Sequence, residues 1–159
     1  MLYFDASALA KRYVREPETL SVRRLLGRGV PATSRLSEVE VASALGRRCR
    51  EGTVSADDRD RALARLREDI GSMYVVELSA EIAAAARALL LRHPLRSSDA
   101  IQLASCLHLA EQLGAPAELV VYDVPLVTAA RSEGLRVLHR TAGRAARRKR
   151  EGMRCRRSC

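Results

Sequence analysis

The sequence predicts an α/β fold, a single domain built on a central parallel β-sheet with helices on both faces. Three observations lead there. Short apolar runs alternate along the chain with longer helical patterns, and strands separated by helices pair in parallel through crossover connections. The most apolar run, Leu119-Val-Val-Tyr122, shows no polar alternation, as a strand covered on both faces requires. The chain has 159 residues, 47% of them apolar and 30% charged, which suits one compact domain and not a disordered polymer.

The elements follow in order. Leu2-Tyr-Phe4 reads as the first strand, and Ala6 to about Val14 as the first helix. Pro17 opens a second helix, Glu18–Leu26, which Gly27 and Gly29 close. Val30-Pro-Ala-Thr33 is a short second strand, and Ser34 is placed to cap a helix running to Cys49 and ending at Gly52. A charged helix spans about Ser55 to Ile70, and Tyr74-Val-Val-Glu-Leu78 is the third strand. Ser79 caps an Ala/Leu-rich helix to Leu91, stopped by Pro94. Ser97 or Ser98 caps a further helix to Leu113, closed by Gly114. After the strand Leu119–Tyr122 come a helix over 124–132, ending at Gly134, and a last strand, Arg136-Val-Leu138. Residues 1–139 form the expected domain. Residues 140–159, without apolar periodicity or turn logic, are expected to be a disordered basic tail.

Charge and cysteine usage narrow the functional classes. The net charge is +9, but residues 140–159 carry nine Arg or Lys and one Glu, a net of +8, which leaves residues 1–139 at +1. The net basic character therefore belongs to the tail, which is read as a solvated extension before it is read as an RNA contact. Cys49 and Cys106 lie in apolar helical patterns, and Cys155-Arg-Arg-Ser-Cys159 lacks the second pair or His partner of a zinc site. No apolar run approaches the ~20 residues of a membrane span. The N-terminus enters the first strand without a basic or cleavable apolar segment. A cytoplasmic protein with no membrane partner is expected.

Chemistry is carried by acids. Asp5 follows the first strand, Asp123 follows Tyr122, Asp99 opens the helix beginning near Ser97, and Glu38 and Glu40 lie in the first turns of the helix after the second strand. Ligands of open parallel sheets bind beyond the carboxyl ends of strands. Each acid also has a structural explanation. Asp5 and Asp123 suit N-caps, Asp99 suits a first-turn position favoured by the helix dipole, and Ser37-x-x-Glu40 suits a capping box. Taken together, four like charges gathered at one edge repel unless a cation offsets them. An oxygen-only set favours Mg²⁺ or Mn²⁺ over zinc or copper. Carboxylate-held Mg²⁺ in turn points to phosphoryl chemistry. His93, His108 and His139 sit in loop, helix and terminal contexts with no nucleophile beside them. Neither a Gly-x-x-x-x-Gly-Lys loop nor a Gly-x-Gly-x-x-Gly turn occurs. Asp5-Ala-Ser7 lacks the second Asp of an aspartyl phosphatase.

The stretches Leu2-Tyr-Phe-Asp5-Ala-Ser-Ala-Leu-Ala-Lys-Arg-Tyr13, Ser34-Arg-Leu-Ser-Glu-Val-Glu-Val-Ala-Ser-Ala-Leu45, Leu95-Arg-Ser-Ser-Asp-Ala-Ile-Gln-Leu-Ala104 and Val121-Tyr-Asp-Val-Pro-Leu-Val-Thr-Ala-Ala130, with Gly134-Leu-Arg-Val137, occur in this order. In these residues the chain resembles PIN domains, and among them the VapC toxins of type II toxin–antitoxin modules. The resemblance implies a PIN-like fold and a homodimer. It also implies that Asp5, Glu40, Asp99 and Asp123 are the catalytic, metal-binding acids, with Ser7 a supporting hydroxyl beside Asp5. Glu40 is preferred to Glu38 because of its spacing to Ala44. The implied activity is Mg²⁺- or Mn²⁺-dependent endonucleolytic cleavage of RNA, leaving 5′-phosphate and 3′-hydroxyl ends, and silenced by a cognate antitoxin. Two alternatives stand beside it: a PIN nuclease of RNA processing that is not a toxin, and a PIN-like module that binds RNA or protein without cutting. Lys11 or Arg12 is a further candidate for the substrate backbone, set against a plain solvated helix face.

Overall fold

Five short strands, all paired in parallel, lie in the order β3-β2-β1-β4-β5. They are β1 (Leu2–Phe4), β2 (Ala32–Ser34), β3 (Tyr74–Val76), β4 (Glu118–Val120) and β5 (Arg136–Leu138). The helices between them are α1 (Ala6–Tyr13), α2 (Thr19–Leu26), α3 (Leu36–Arg50), α4 (Ala56–Gly71), α5 (Ala80–Arg92), α6 (Ser97–Leu113) and α7 (Val124–Ser132). This computed structural model describes residues 1–138; the expected end of the domain at 139 and the tail lie outside the described residues.

Alternation along the strands divides the interior in two, because successive strand side chains point to opposite faces. Tyr3, Leu119 and Val121 join α5, α6 and α7 residues in one buried cluster, built on Ile82, Leu89, Leu103, Leu109 and Leu126. Their chain neighbours Phe4 and Val120 join the other cluster, with Leu9, Val22, Val41, Leu45 and Leu66 of α1 to α4. Tyr3, Phe4, Leu119 and Val120 are each fully buried, and burial of a side chain of this size contributes ~1.5–3 kcal/mol. The helices therefore cover both faces, as the sequence predicts.

The boundaries show where local signals yield to pairing. Ser34 is not the N-cap residue: it is the last residue of β2, buried and paired with Val76, and α3 follows Arg35, although the Ser34 hydroxyl still accepts from the Leu36 N–H at 3.3 Å. β2 itself is shifted toward Ser34 from the predicted Val30 start, because Val30 is 62% exposed. β3 stops at Val76, and β4 stops at Val120 instead of running to Tyr122. Neither Ser97 nor Ser98 caps α6, whose N-cap is Arg96, again without a side-chain hydrogen bond. The predicted cap at Ser79 is formed, its hydroxyl accepting from the Ile82 N–H at 3.3 Å, and Ser55 caps α4 in the same way, accepting from the Asp58 N–H at 3.1 Å. Gly114 ends α6 at φ 56°, a left-handed conformation that costs a glycine little, and its N–H closes onto Ala110 and Glu111.

Cys106 is fully buried, and burial pushes its thiol up to about 12, so it behaves as a small hydrophobe. Among the described residues, no helix is long and apolar enough to cross a membrane.

Candidate active site

The order in which the chain adds strands reverses between β1 and β4. From β1 the chain moves outward through β2 to β3, then returns across the sheet to β4 on the other side of β1. Such a switch point opens a crevice at the carboxyl ends of the two central strands. Asp5 and Asp123 both lie at these ends. Each is the N-cap of the helix it precedes: Asp5 Oδ1 accepts from the Ala8 N–H at 2.9 Å, and Asp123 Oδ1 accepts from the Leu126 N–H at 3.0 Å. Capping uses one oxygen of each carboxylate.

Asp5 is 3% exposed. Burial pushes its carboxyl up to about 7, against the hydrogen bonds from Ala8 and Ser7, and the charge of Glu40 pushes the same way. Ser7, on the first turn of α1, donates to Asp5 Oδ1 at 2.9 Å and accepts from the Tyr122 N–H at 3.1 Å. One hydroxyl therefore ties the β1 acid to the segment that carries Asp123. Asp99, third residue of α6, is half-buried, and its carboxyl is raised by burial, by Asp123 and by Glu40. Asp5, Glu40, Asp99 and Asp123 thus share one electrostatic neighbourhood, drawn from both helical layers and two strand ends.

No capping box forms at Ser37-x-x-Glu40, since α3 begins one residue before Ser37. Both side chains serve a buried polar chain centred on Gln102, a residue the sequence reading passed over as part of an apolar helix. Gln102 is 1% exposed. Its Oε1 accepts from the Tyr3 hydroxyl at 2.9 Å. Its Nε2 donates to Ser37 Oγ at 2.9 Å and to Glu40 Oε2 at 2.8 Å. Thr33 completes the chain, donating through Oγ1, which lies 2.7 Å from both the Phe4 carbonyl and Ser37 Oγ. Glu40 is therefore pinned by a donor on α6, one turn from Asp99. Glu38 faces elsewhere, accepting from Arg35 at 3.2 Å at the surface. The sequence signal was present: an amide at a position inside the apolar run Ile101–Leu103 must find partners when buried.

The donor set fits a hard divalent cation. All four acids offer oxygen, and His93 is engaged elsewhere, 2.6 Å from Glu133. Among the described residues no three His, Cys, Asp or Glu side chains converge into a cage for an ion. Mg²⁺ needs none, because it usually takes one or two carboxylates and completes its shell with water. A buried carboxyl raised by neighbouring acids is the kind of group a cation relieves.

Lys11 and Arg12 do not form a solvated helix face. Lys11 Nζ pairs with Glu16 and Glu18 and lies 4.7 Å from the Tyr122 ring centroid. Arg12 pairs with Asp69, which also accepts from the Tyr13 hydroxyl at 2.8 Å. Their partners are distant or across a loop, which local patterning does not reveal.

Residues 2–123, from β1 to the last of the four acids, match the family model of the PIN domain. The chain belongs to the PIN-domain family. Within it, the chain is 34% identical over 138 residues to Ribonuclease VapC46 of Mycobacterium tuberculosis, an alignment covering 86% of this chain and 95% of that protein. This places the PIN domain described here among the VapC proteins. Solved structures share its fold. The Mycobacterium tuberculosis VapC20 toxin, described as cleaving the sarcin–ricin loop, superposes with a TM-score of 0.62 at 21% identity, covering 81% of this chain and 95% of that one. FitAcB from Neisseria gonorrhoeae superposes with a TM-score of 0.59 at 14% identity, covering 87% and 96%. A toxin–antitoxin complex from Klebsiella pneumoniae gives 0.55 at 20% identity, covering 77% and 87%.

Proposed function

We propose that this PIN domain is a Mg²⁺- or Mn²⁺-dependent endoribonuclease, the toxin of a toxin–antitoxin pair. The observation that carries the reading is the placement of Asp5: a buried acid at the switch point, raised by burial and by Glu40, in a chain 34% identical to a ribonuclease along nearly its whole length. Asp5 and Asp99 would hold the principal ion, with Glu40 and Asp123 completing the site. Bound there, a divalent ion supplies the positive charge that stabilises an in-line phosphoryl transition state.

This chain's residues do the remaining work. Ser7 and the Ala8 N–H fix one oxygen of Asp5, so its carboxyl is oriented before ligand arrives. Gln102 fixes Glu40 in the same manner. Rigid carboxylates lose little entropy on binding, which is the advantage of preorganisation. A cognate antitoxin and a homodimer belong to the same proposal, as does an intracellular site of action on cellular RNA.

The test compares wild type with Asp5→Asn on RNA in Mn²⁺. The wild type is expected to cut, leaving 5′-phosphate and 3′-hydroxyl ends, and to melt higher with Mn²⁺ than without. The mutant is expected to do neither. Undiminished cleavage by Asp5→Asn overturns the assignment of the anchor. Growth arrest on induction, relieved by co-expression of the neighbouring gene, separates the toxin from a processing nuclease.

A further inference from the structure

A groove of about 860 Å³ opens between the end of α1 with the loop after it and the turn joining α3 to α4. Six arginines line it, Arg12, Arg15, Arg23, Arg48, Arg61 and Arg65, against one carboxylate, Asp58. Residues 1–139 are almost neutral overall, so this concentration is local to the fold. We propose that the groove is a track for the phosphate backbone of single-stranded RNA leading to the acidic edge of the sheet. The proposal rests on the ribonuclease reading and names the surface that would hold its substrate.

Three of the guanidiniums are already engaged. Arg12 is held by Asp69, Arg48 by Glu16, and Arg61 by Asp58 at 2.7 Å. Arg15, Arg23 and Arg65 are exposed and form no ion pair among the described residues. Arg23 donates only to the Arg12 carbonyl, at 3.3 Å. Three arginines from three different segments therefore line one cleft outside any ion pair, although the charges of Asp58 and Asp69 bear on Arg15 and Arg65. A cleft lined by one sign of charge focuses its field and concentrates a ligand of the opposite sign.

The chemistry of the lining favours phosphate. Guanidinium forks match phosphate oxygens in pairs, which ammonium groups do not. Tyr13 contributes an aromatic wall, a surface on which unpaired bases stack. Sequence-specific recognition of RNA is directed mostly at unpaired segments.

A chain of contacts also joins the groove to the acids. Arg48 on the groove wall pairs with Glu16, and Glu16 pairs with Lys11. Lys11 lies against the Tyr122 ring, one residue before Asp123. Side chains in contact therefore link the groove wall to the segment that carries Asp123.

The experiment uses the full chain, with its tail, and a fluorescent single-stranded oligoribonucleotide in EDTA, so that metal-dependent cleavage is off. Anisotropy measures affinity across a salt series for wild type and for Arg15→Gln/Arg23→Gln/Arg65→Gln. Each phosphate contact on a single strand contributes about 0.7 to the slope of log K against log salt. The triple variant should lose about 2 in slope and bind roughly a hundredfold more weakly near 0.1 M salt. Each single variant should lose about 0.7, which keeps the result readable if the triple variant folds poorly. The three-lysine counterpart should keep the wild-type slope. Because the tail is present throughout, the difference reads the groove. A glutamine variant with the wild-type slope overturns the proposal. So does a Glu-rich peptide that displaces the RNA from wild type more effectively than unlabelled RNA does, since it would assign the groove to an acidic protein segment. Slope loss in a protein whose wild type cuts no RNA with Mn²⁺ would keep the groove as an RNA track and overturn the ribonuclease reading instead.

Discussion

Replacing Gln102 by Leu isolates the buried polar chain that holds Glu40. Leu is close to Gln in volume, so the cavity contribution is small and the cost is polar. The Tyr3 hydroxyl, on a side chain 0% exposed, would lose its acceptor at 2.9 Å and keep only the neighbouring Ser105 and Ser34 hydroxyls. A buried donor left without a partner costs ~1–3 kcal/mol. Ser37 Oγ would keep its bond to Thr33, and the half-buried Glu40 would recover part of its loss from water, so together they add about 1 kcal/mol. A loss of about 2–4 kcal/mol in urea unfolding follows, with a melting temperature lower by roughly 5–12 °C for a domain of this size. Tyr3→Phe offers a second arm. Alone it strands Gln102 Oε1, but with Gln102→Leu it removes both partners, so the double mutant should cost about 1–2 kcal/mol less than the sum of the singles. In Mn²⁺-dependent cleavage assayed well below the melting point, kcat should fall about tenfold to a hundredfold with KM little changed, because Glu40 is no longer held. An unfolding loss below about 0.5 kcal/mol, or strictly additive mutants, would refute the reasoning.

Other perturbations probe neighbouring contacts. Ser7→Ala takes a donor from Asp5 and an acceptor from the Tyr122 N–H; about 1–2 kcal/mol of stability and most of the cleavage rate should go with it, and a variant unchanged in both urea unfolding and activity would contradict the role given to the hydroxyl. Asp69→Asn tests a folding contact by pH. Burial alone would raise Asp69, but the Arg12 guanidinium and the Tyr13 hydroxyl outweigh it and hold the carboxyl below its ordinary value. A depressed acid stabilises the fold at neutral pH and loses that contribution as pH falls through and below the usual carboxylate range. Wild type should therefore lose its advantage over the Asn variant on acidification, and an advantage independent of pH from 7 down to about 3 would count against the ion pair.

Much of the architecture was legible because the signals that announce it are local. Alternation of apolar runs with helical periodicity marked the five strands and seven helices of the described residues, and Asp5, Ser55, Ser79 and Asp123 cap the helices they precede. Those forces act within one turn of chain. Strand ends were less legible: Ser34 has the chemistry of a cap, but its pairing with Val76, forty-two residues on, decides its place. The four acids could be nominated in the sequence, whereas their common neighbourhood depends on the order β3-β2-β1-β4-β5, which sets Asp5 beside the β4 end.

The amino-acid sequence by itself thus determined the class of fold and the caps at Asp5, Ser79 and Asp123, and nominated the acids, since these signals lie in residues within a few positions of one another. Tertiary structure decided the rest. Gln102 meets Tyr3, Ser37 and Glu40 only when α6 packs over β1 and against α3. Arg12 finds Asp69 fifty-seven residues away, and arginines scattered from 12 to 65 become one groove. Burial selects such contacts, because a polar group removed from water must find a partner wherever the packed elements supply it, however far along the chain that partner lies.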